Sequence, residues 1–413
     1  MSADGSLRVA QVNFHPDPDG RSVADLLQAW PTLALVAEAV AATGADVTVL
    51  QASPRRETVQ VGGVTYRLAP VADFDAWLTP SAVDAVHVHG LSFVHEVNAL
   101  HARHPGLPLL LQDHADGVPR WWRRRAWRTA LAAASATVFC AAEQARPFIA
   151  AGLMQRDAPL VEIPESSSRF VPGDRAAARA SAGLGGDPAL LWVGHLNANK
   201  DPLTVLDAVA LALPDLPGLR LSCCFGDAPL LPAVQARLAA DAQLAGHVRL
   251  LGRMPHAQVQ TLMQAADFLV LGSHREGCNY ATIEALASGL PPLVTDLPSM
   301  RRLTGNGAAG ALWRAGDAAA LAAALLRAMR ADRVQLRRAA RAQFEQALAP
   351  GPLGPAEGAL RARRGAGGHE PAHDLDALLH AGRVLPRLCR AVRAGACACT
   401  VPVRSAALPA VGA

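Results

Sequence analysis

The stretch from Phe268 to Thr295 restricts the fold of this chain more than any other. Phe268 to Leu271 is an apolar run of strand composition that breaks at Gly272 and Ser273 into a polar turn. A helical pattern opens near Asn279, and Tyr280, Ile283, Leu286 and Ala287 then recur at helical spacing. Gly289 is placed to take the left-handed conformation that closes helices, and Leu290 to Thr295 reads as the next strand. The spacing therefore predicts a βαβ unit. In open α/β sheets ligands collect at the carboxyl ends of the strands, and the N–H groups that open a helix attract anions. Glu276 lies in this turn and Glu284 follows eight positions later, inside the helix. Carboxylates repel phosphate, so this pair suits hydroxyl groups on either side of an anion, such as those of a sugar and a ribose.

The same alternation runs through most of the chain. Leu7 to Phe14 and Asp46 to Gln51 read as strands separated by a loop and a helical segment that ends near Thr43. Val59 to Leu68 reads as a hairpin around Gly62 and Gly63. Ala85 to Gly90 is a strand in which His87 and His89 share a face, because side chains alternate along strands. Leu107 to Gln112 is a buried strand followed by Asp113 and His114; Ala136 to Cys140 is another, with a helix over Glu143 to Ala151. Ala189 to Gly194 opens a second series, with the loop His195 to Lys200 at its end and a helix started by Asp201 and Pro202. Leu219 to Phe225 and Val248 to Leu251 continue it, and Asp317 to Ala347 is helical and rich in alanine. A chain of 413 residues holds two domains of ordinary size. The expected organisation is 1–185 for a first α/β domain, 186–348 for a second, and 349–413 for a Gly, Pro, Ala and Arg-rich tail whose composition predicts disorder.

Composition narrows the function classes. No uninterrupted apolar run approaches the length of a membrane span, and the N-terminus lacks a basic segment followed by a long apolar one. Seven cysteines without regular spacing read as reduced thiols, so a cytoplasmic protein is expected. The net charge of +4 is modest and no nucleic-acid partner is expected. The segment Arg120 to Arg128, RWWRRRAWR, is a local basic and aromatic cluster that reads either as a solvated helix face or as peripheral contact with an anionic lipid surface or acceptor, at the inner face of a membrane. Asp-x-Asp pairs occur at Asp17 and Asp19, Asp73 and Asp75, and Asp374 and Asp376; three unrelated occurrences argue against a metal motif, and no metal is expected.

The pair Glu276 and Glu284 in its strand–turn–helix setting resembles the Glu-x7-Glu motif of retaining glycosyltransferases of family four. That resemblance implies the GT-B fold, two Rossmann-like α/β domains facing a cleft. It also implies roles: Glu276 contacts the donor sugar, Glu284 the ribose, and the backbone of Gly277, Cys278 and Asn279 meets the diphosphate. Lys200 stands where the family places a lysine aimed at the diphosphate, and His195 stands where it places an arginine. Arg253 and Met254 fall where the family contacts the nucleobase, and His114 where a histidine lies near the transferred sugar. The sequence departs from the family in its first loop, which has Gly20 instead of paired glycines, in Glu165 and Ser166 for the usual Asn-Gly, and in Met300, Arg301 and Arg302 for a further glutamate. The implied reaction moves a hexose from a nucleotide-sugar to a hydroxyl of a glycan, lipid-linked or small-molecule acceptor, with retention and without a cofactor. A nucleotide-sugar 2-epimerase and an inactive sugar-nucleotide-binding relative are the alternatives.

Overall fold

The structure is a computed structural model that describes residues 6–164 and 166–349. Apart from Ala349, the expected tail lies outside the described residues. The chain forms two compact units that divide between Glu165 and Ser166.

The first unit is built on β1 (Arg8–Asn13), β2 (Asp46–Ala52), β3 (Glu57–Val61), β4 (Val64–Ala69), β5 (Ala85–His89), β6 (Leu109–Gln112), β7 (Ala136–Phe139) and β8 (Leu160–Glu162). Their order in the sheet is β3-β4-β2-β1-β5-β6-β7-β8. All neighbours are parallel except β3 and β4, which form the antiparallel hairpin at the edge. Parallel sheets carry helices on both faces and so bury both. The alternation along the strands shows this directly. Val86 and Val88 join one apolar cluster with Leu50, Leu109 and Leu111, while Ala85 joins the other with Val47, Val49 and Leu110. The helical segment before β2 is two helices, Val23–Ala29 and Pro31–Ala41, and the helix expected over Glu143 to Ala151 begins as a 3-10 turn, Ala142–Ala145, before Arg146–Ala150.

The second unit is built on β9 (Ala189–Gly194), β10 (Arg220–Phe225), β11 (Val248–Gly252), β12 (Phe268–Leu271), β13 (Pro292–Thr295) and β14 (Ala311–Trp313). Their order is β11-β10-β9-β12-β13-β14, with every neighbour parallel. The chain winds outward from β9 in one direction and, from β12, in the other. The loops that follow β9 and β12 therefore flank the point where the strand order reverses, the place where doubly wound sheets hold ligands. The alanine-rich segment is two helices, Ala318–Arg330 and Arg333–Ala347, with Asp317 and Asp332 accepting backbone N–H bonds as their N-caps.

The division at Glu165 and Ser166 falls before the boundary expected from composition, because residues 166–186 pack on the second unit. Their helix, Arg175–Ala182, carries Arg175 and Arg179, both paired with the buried carboxylate of Asp267. Arg179 also donates to the carbonyl oxygens of Ala265 and Gly186. Asp267 in turn accepts the N–H of Ala189 at 2.8 Å, so one carboxylate ties this segment to the starts of β9 and β12.

Candidate functional site

The two loops at the switch point are locked to each other through backbone and amide groups. Asn199 donates through Nδ2 to the carbonyl of Arg275 at 2.9 Å, and its Oδ1 accepts the Arg275 N–H at 3.0 Å. The His274 N–H bonds to the Asn199 carbonyl at 2.8 Å. Gly272 permits this approach, since a Cβ there would fall 2.9 Å from the Asp201 carbonyl oxygen. Asp201 caps the helix Pro202–Ala212, and His274 Nε2 lies 2.9 Å from its Oδ2.

This clamp brings Lys200 and Glu276 into direct contact, with Lys200 Nζ donating to Glu276 Oε1. Both are largely shielded, with side-chain exposures of 17% and 9%. The lysine expected to face a diphosphate and the glutamate expected to face a sugar are thus an ion pair. The Glu276 carbonyl accepts the Ser299 hydroxyl at 3.1 Å, and the Thr295 hydroxyl donates to the Ser273 carbonyl at 2.6 Å, fixing the turn against β13 and the helix Pro298–Thr304.

Asn279 ends the turn as the N-cap of the helix Tyr280–Ala287, its Oδ1 accepting from the Thr282 N–H at 2.8 Å. Gly277, Cys278 and Asn279 are buried. The helix starts at the C-terminal edge of β12 and so directs the positive end of its dipole there. Gly289 has a φ of 68°, the left-handed conformation expected of it. Glu284 Oε1 lies 2.6 Å from His256 Nε2, a neighbour that sequence reasoning missed. Bonding to Glu284 holds the His256 imidazole above its usual pKa, against the opposing effect of partial burial.

His195 lies at the end of β9. Its Nδ1 accepts the Asp227 N–H at 3.0 Å, which leaves Nε2 as the nitrogen able to donate. Arg253 lies beside it, with NH2 3.5 Å from Asp227 Oδ1 and its side chain 76% exposed. Met254 follows, half-buried. These residues gather at the ends of β9, β10 and β11, adjoining the Lys200 loop.

The first unit places His114 at the end of β6, exposed, with Nε2 3.2 Å from His89 Nδ1. Asp113 accepts from the Ala115 and Asp116 N–H groups and so shapes the turn, in which Ala115 has a φ of 66°. Asp116 accepts the Leu91 N–H at 2.8 Å and ties this loop to the one after β5. His87 lies against His89 with ring centroids 4.3 Å apart and the rings tilted by 43°, and it is fully buried. Burial, reinforced by His114, pushes its pKa down to about 4, and burial pushes His89 well below its usual value too. Among the described residues no group of three His, Cys, Asp or Glu is arranged to hold a metal ion. Asp17 is buried against Arg21, with its Oδ1 2.7 Å from NH2, and has a structural place in the first loop. Cys140, Cys223, Cys224 and Cys278 are free and buried; burial raises the Cys223 thiol to about 12 and the Cys224 thiol to about 11.

Residues 187–331 match the family model described as glycosyl transferases group 1. A D-inositol 3-phosphate glycosyltransferase of Nocardia farcinica is 34% identical over 50% of this chain and 48% of its own length. A GDP-mannose:cellobiosyl-diphosphopolyprenol alpha-mannosyltransferase of Xanthomonas campestris is 27% identical over 56% of this chain and 60% of its own. The chain thus spans about half the length of the first of these relatives. Among solved structures, sucrose-phosphate synthase from Thermosynechococcus elongatus superposes with a TM-score of 0.63 at 17% identity, covering 87% of this chain and 98% of that one. Anabaena HepE in complex with UDP gives 0.60 at 15% identity, covering 87% and 100%. The chain has the two-domain, Rossmann-like GT-B fold, and its second domain carries the likeness to glycosyl transferases group 1.

Proposed function

We propose that the protein is a glycosyltransferase that moves a hexose from a nucleotide-sugar to an acceptor hydroxyl with retention. The observation that carries this reading is the Lys200–Glu276 pair, one residue from each loop flanking the switch point of the second unit. The names of the similar proteins, both glycosyltransferases, support it.

The pair suggests how a donor is received. A diphosphate carries more negative charge than one carboxylate, so a bound donor draws the Lys200 ammonium toward its phosphates. Glu276 accepts hydrogen bonds from sugar hydroxyls. The N-terminal end of the helix Tyr280–Ala287 adds partial positive charge on the same side. As the glycosidic bond breaks, negative charge grows on the departing nucleoside diphosphate, and a preorganised cation and helix end stabilise it without rearranging. Glu284 holds the ribose, His195 Nε2 offers one further donor to the phosphates, and Arg253 and Met254 border the base. His114 is the first unit's candidate for contact with the transferred sugar. Lys200 takes the electrostatic role that a metal has in other transferases, so transfer should persist in a chelator.

The test is incubation with uridine- and guanosine-diphosphate sugars, with and without acceptors, in the presence of EDTA. A transferase gives slow donor hydrolysis alone and full turnover with its acceptor. Conversion of a donor to an equilibrium mixture with its 2-epimer without acceptor would establish the epimerase instead. Transfer abolished by EDTA and restored by magnesium or manganese would overturn the role given to Lys200.

A further inference from the structure

We propose that the Trp121–Trp122 turn and the arginines around it form a docking surface for an anionic phospholipid bilayer. Trp121 and Trp122 are 76% and 56% exposed, the two largest apolar side chains left in solvent among the described residues. They occupy a 3-10 turn, Trp121–Arg123, that leads directly into the helix Arg124–Ala133. Trp127, one turn into that helix, is buried and stacks on Phe148 at 6.0 Å. The helix is therefore anchored to the core by one tryptophan while two neighbours are held outside it.

The charge along this segment is of one sign. Arg120, Arg123, Arg125 and Arg128 are exposed, and the sequence contains no Asp or Glu between Asp116 and Glu143. None of these four takes part in the described ion pairs. Arg124 and Arg128 brace the turn and helix instead, donating to the carbonyls of Pro119 and Gly152. Exposed indoles flanked by unpaired guanidinium groups match a bilayer interface, where tryptophan settles at headgroup level and arginine meets lipid phosphates. Nucleic acid fits less well, since it needs open ring faces for base stacking. The two indoles meet edge to face at 88°, and the Arg120 guanidinium lies 5.3 Å over the Trp122 ring.

Topology fixes what the contact would orient. The helix Arg124–Ala133 crosses back between the parallel strands β6 and β7, so its start lies at their C-terminal edge. That edge of the first unit also carries His89 and His114. The inference uses this unit alone and stands whether or not the transferase reading does.

The test is co-sedimentation of the full chain with vesicles of phosphatidylcholine alone and of equal parts phosphatidylcholine and phosphatidylglycerol. The proteins are wild type, Trp121→Ser with Trp122→Ser, and Arg120→Gln with Arg123→Gln and Arg125→Gln; circular dichroism and melting confirm that each folds. Wild type should bind the phosphatidylglycerol vesicles, lose that binding in half-molar salt, and leave phosphatidylcholine vesicles in the supernatant. Each multiple variant should bind at least about tenfold more weakly, because juxtamembrane basic residues and interfacial aromatics each contribute. Absence of binding to the anionic vesicles overturns the proposal. So does binding that both folded variants retain, or capture of single-stranded RNA without capture of vesicles.

Discussion

His256 Nε2 and Glu284 Oε1 lie 2.6 Å apart although 28 positions separate them in the sequence. Phe170 covers the other side of the imidazole, with ring centroids 4.6 Å apart, so the histidine is sandwiched between residues 166–186 and the helix that carries the glutamate. His256 therefore orients the carboxylate proposed to hold the ribose. His256→Ala should raise the donor KM by about 2- to 12-fold, the range of an ordinary hydrogen bond, with little change in kcat. His256→Gln, which keeps an N–H donor, should recover most of the loss. The pKa of His256 is raised in the folded protein, so the stability it adds is whole below its unfolded value of about 6.5 and is lost as pH rises through the folded value. Melting curves of wild type and His256→Gln should converge as pH is raised through that range.

Asp267 is expected to be the residue whose loss most weakens the second unit's attachment of 166–186. Its buried carboxylate meets Arg175, Arg179 and the Ala189 N–H, and Arg333 NH1 lies 3.7 Å away. Asp267→Ala leaves several donors without their acceptor and should cost about 3 kcal/mol, near the lower end for breaking a buried ion pair because the arginines are partly solvated. Urea denaturation checks this. Asp187→Ala, which removes an exposed carboxylate paired with Arg333, should cost less than about 1 kcal/mol.

The buried histidines make the first unit sensitive to acid. His87 is held neutral with a pKa of about 4, so between about pH 6.5 and pH 4 the unfolded chain takes up a proton that the folded protein does not. Stability should fall across that window by about 3 kcal/mol from His87 alone. His87→Phe should flatten this limb of the pH–stability curve even if its stability near neutrality is lower. An unchanged slope would show that another group titrates there.

Much of this was legible before any coordinates. The period-two and helical patterns placed the strands of both units except β8 and β14, and the turn around Glu276 was located by the break at Gly272 and the cap at Asn279. These are local signals, read within a few residues. What escaped were contacts between distant segments: the Asn199 clamp on Arg275, the Lys200–Glu276 pair, and His256 against Glu284. The first two join the loops that follow β9 and β12, and the third joins the helices on either side of β12; no local pattern encodes any of them. The division at Glu165 and Ser166 was missed for the same reason, since composition marks where a linker is loose and Asp267 decides where it packs. His195 was given a phosphate-facing role by its position in the loop, and only the geometry shows that its Nδ1 already accepts the Asp227 N–H.

The most direct measurement compares donor kinetics of wild type, Glu276→Gln, Glu284→Gln and Lys200→Ala once a donor has been found by thermal shift. A donor present at about 100 times its Kd should add about 2.7 kcal/mol of stability to the wild type. Deleting a hydrogen bond to a charged group costs about 1.5 to 3 kcal/mol, or roughly 10- to 150-fold. Glu284→Gln should raise KM by that order with a smaller effect on kcat, because the ribose does not change during transfer. Glu276→Gln should chiefly lower kcat, and Lys200→Ala should impair both. Wild-type kinetics in both folded glutamine variants would mean that the Lys200–Glu276 loops hold the fold together and do not hold a nucleotide-sugar.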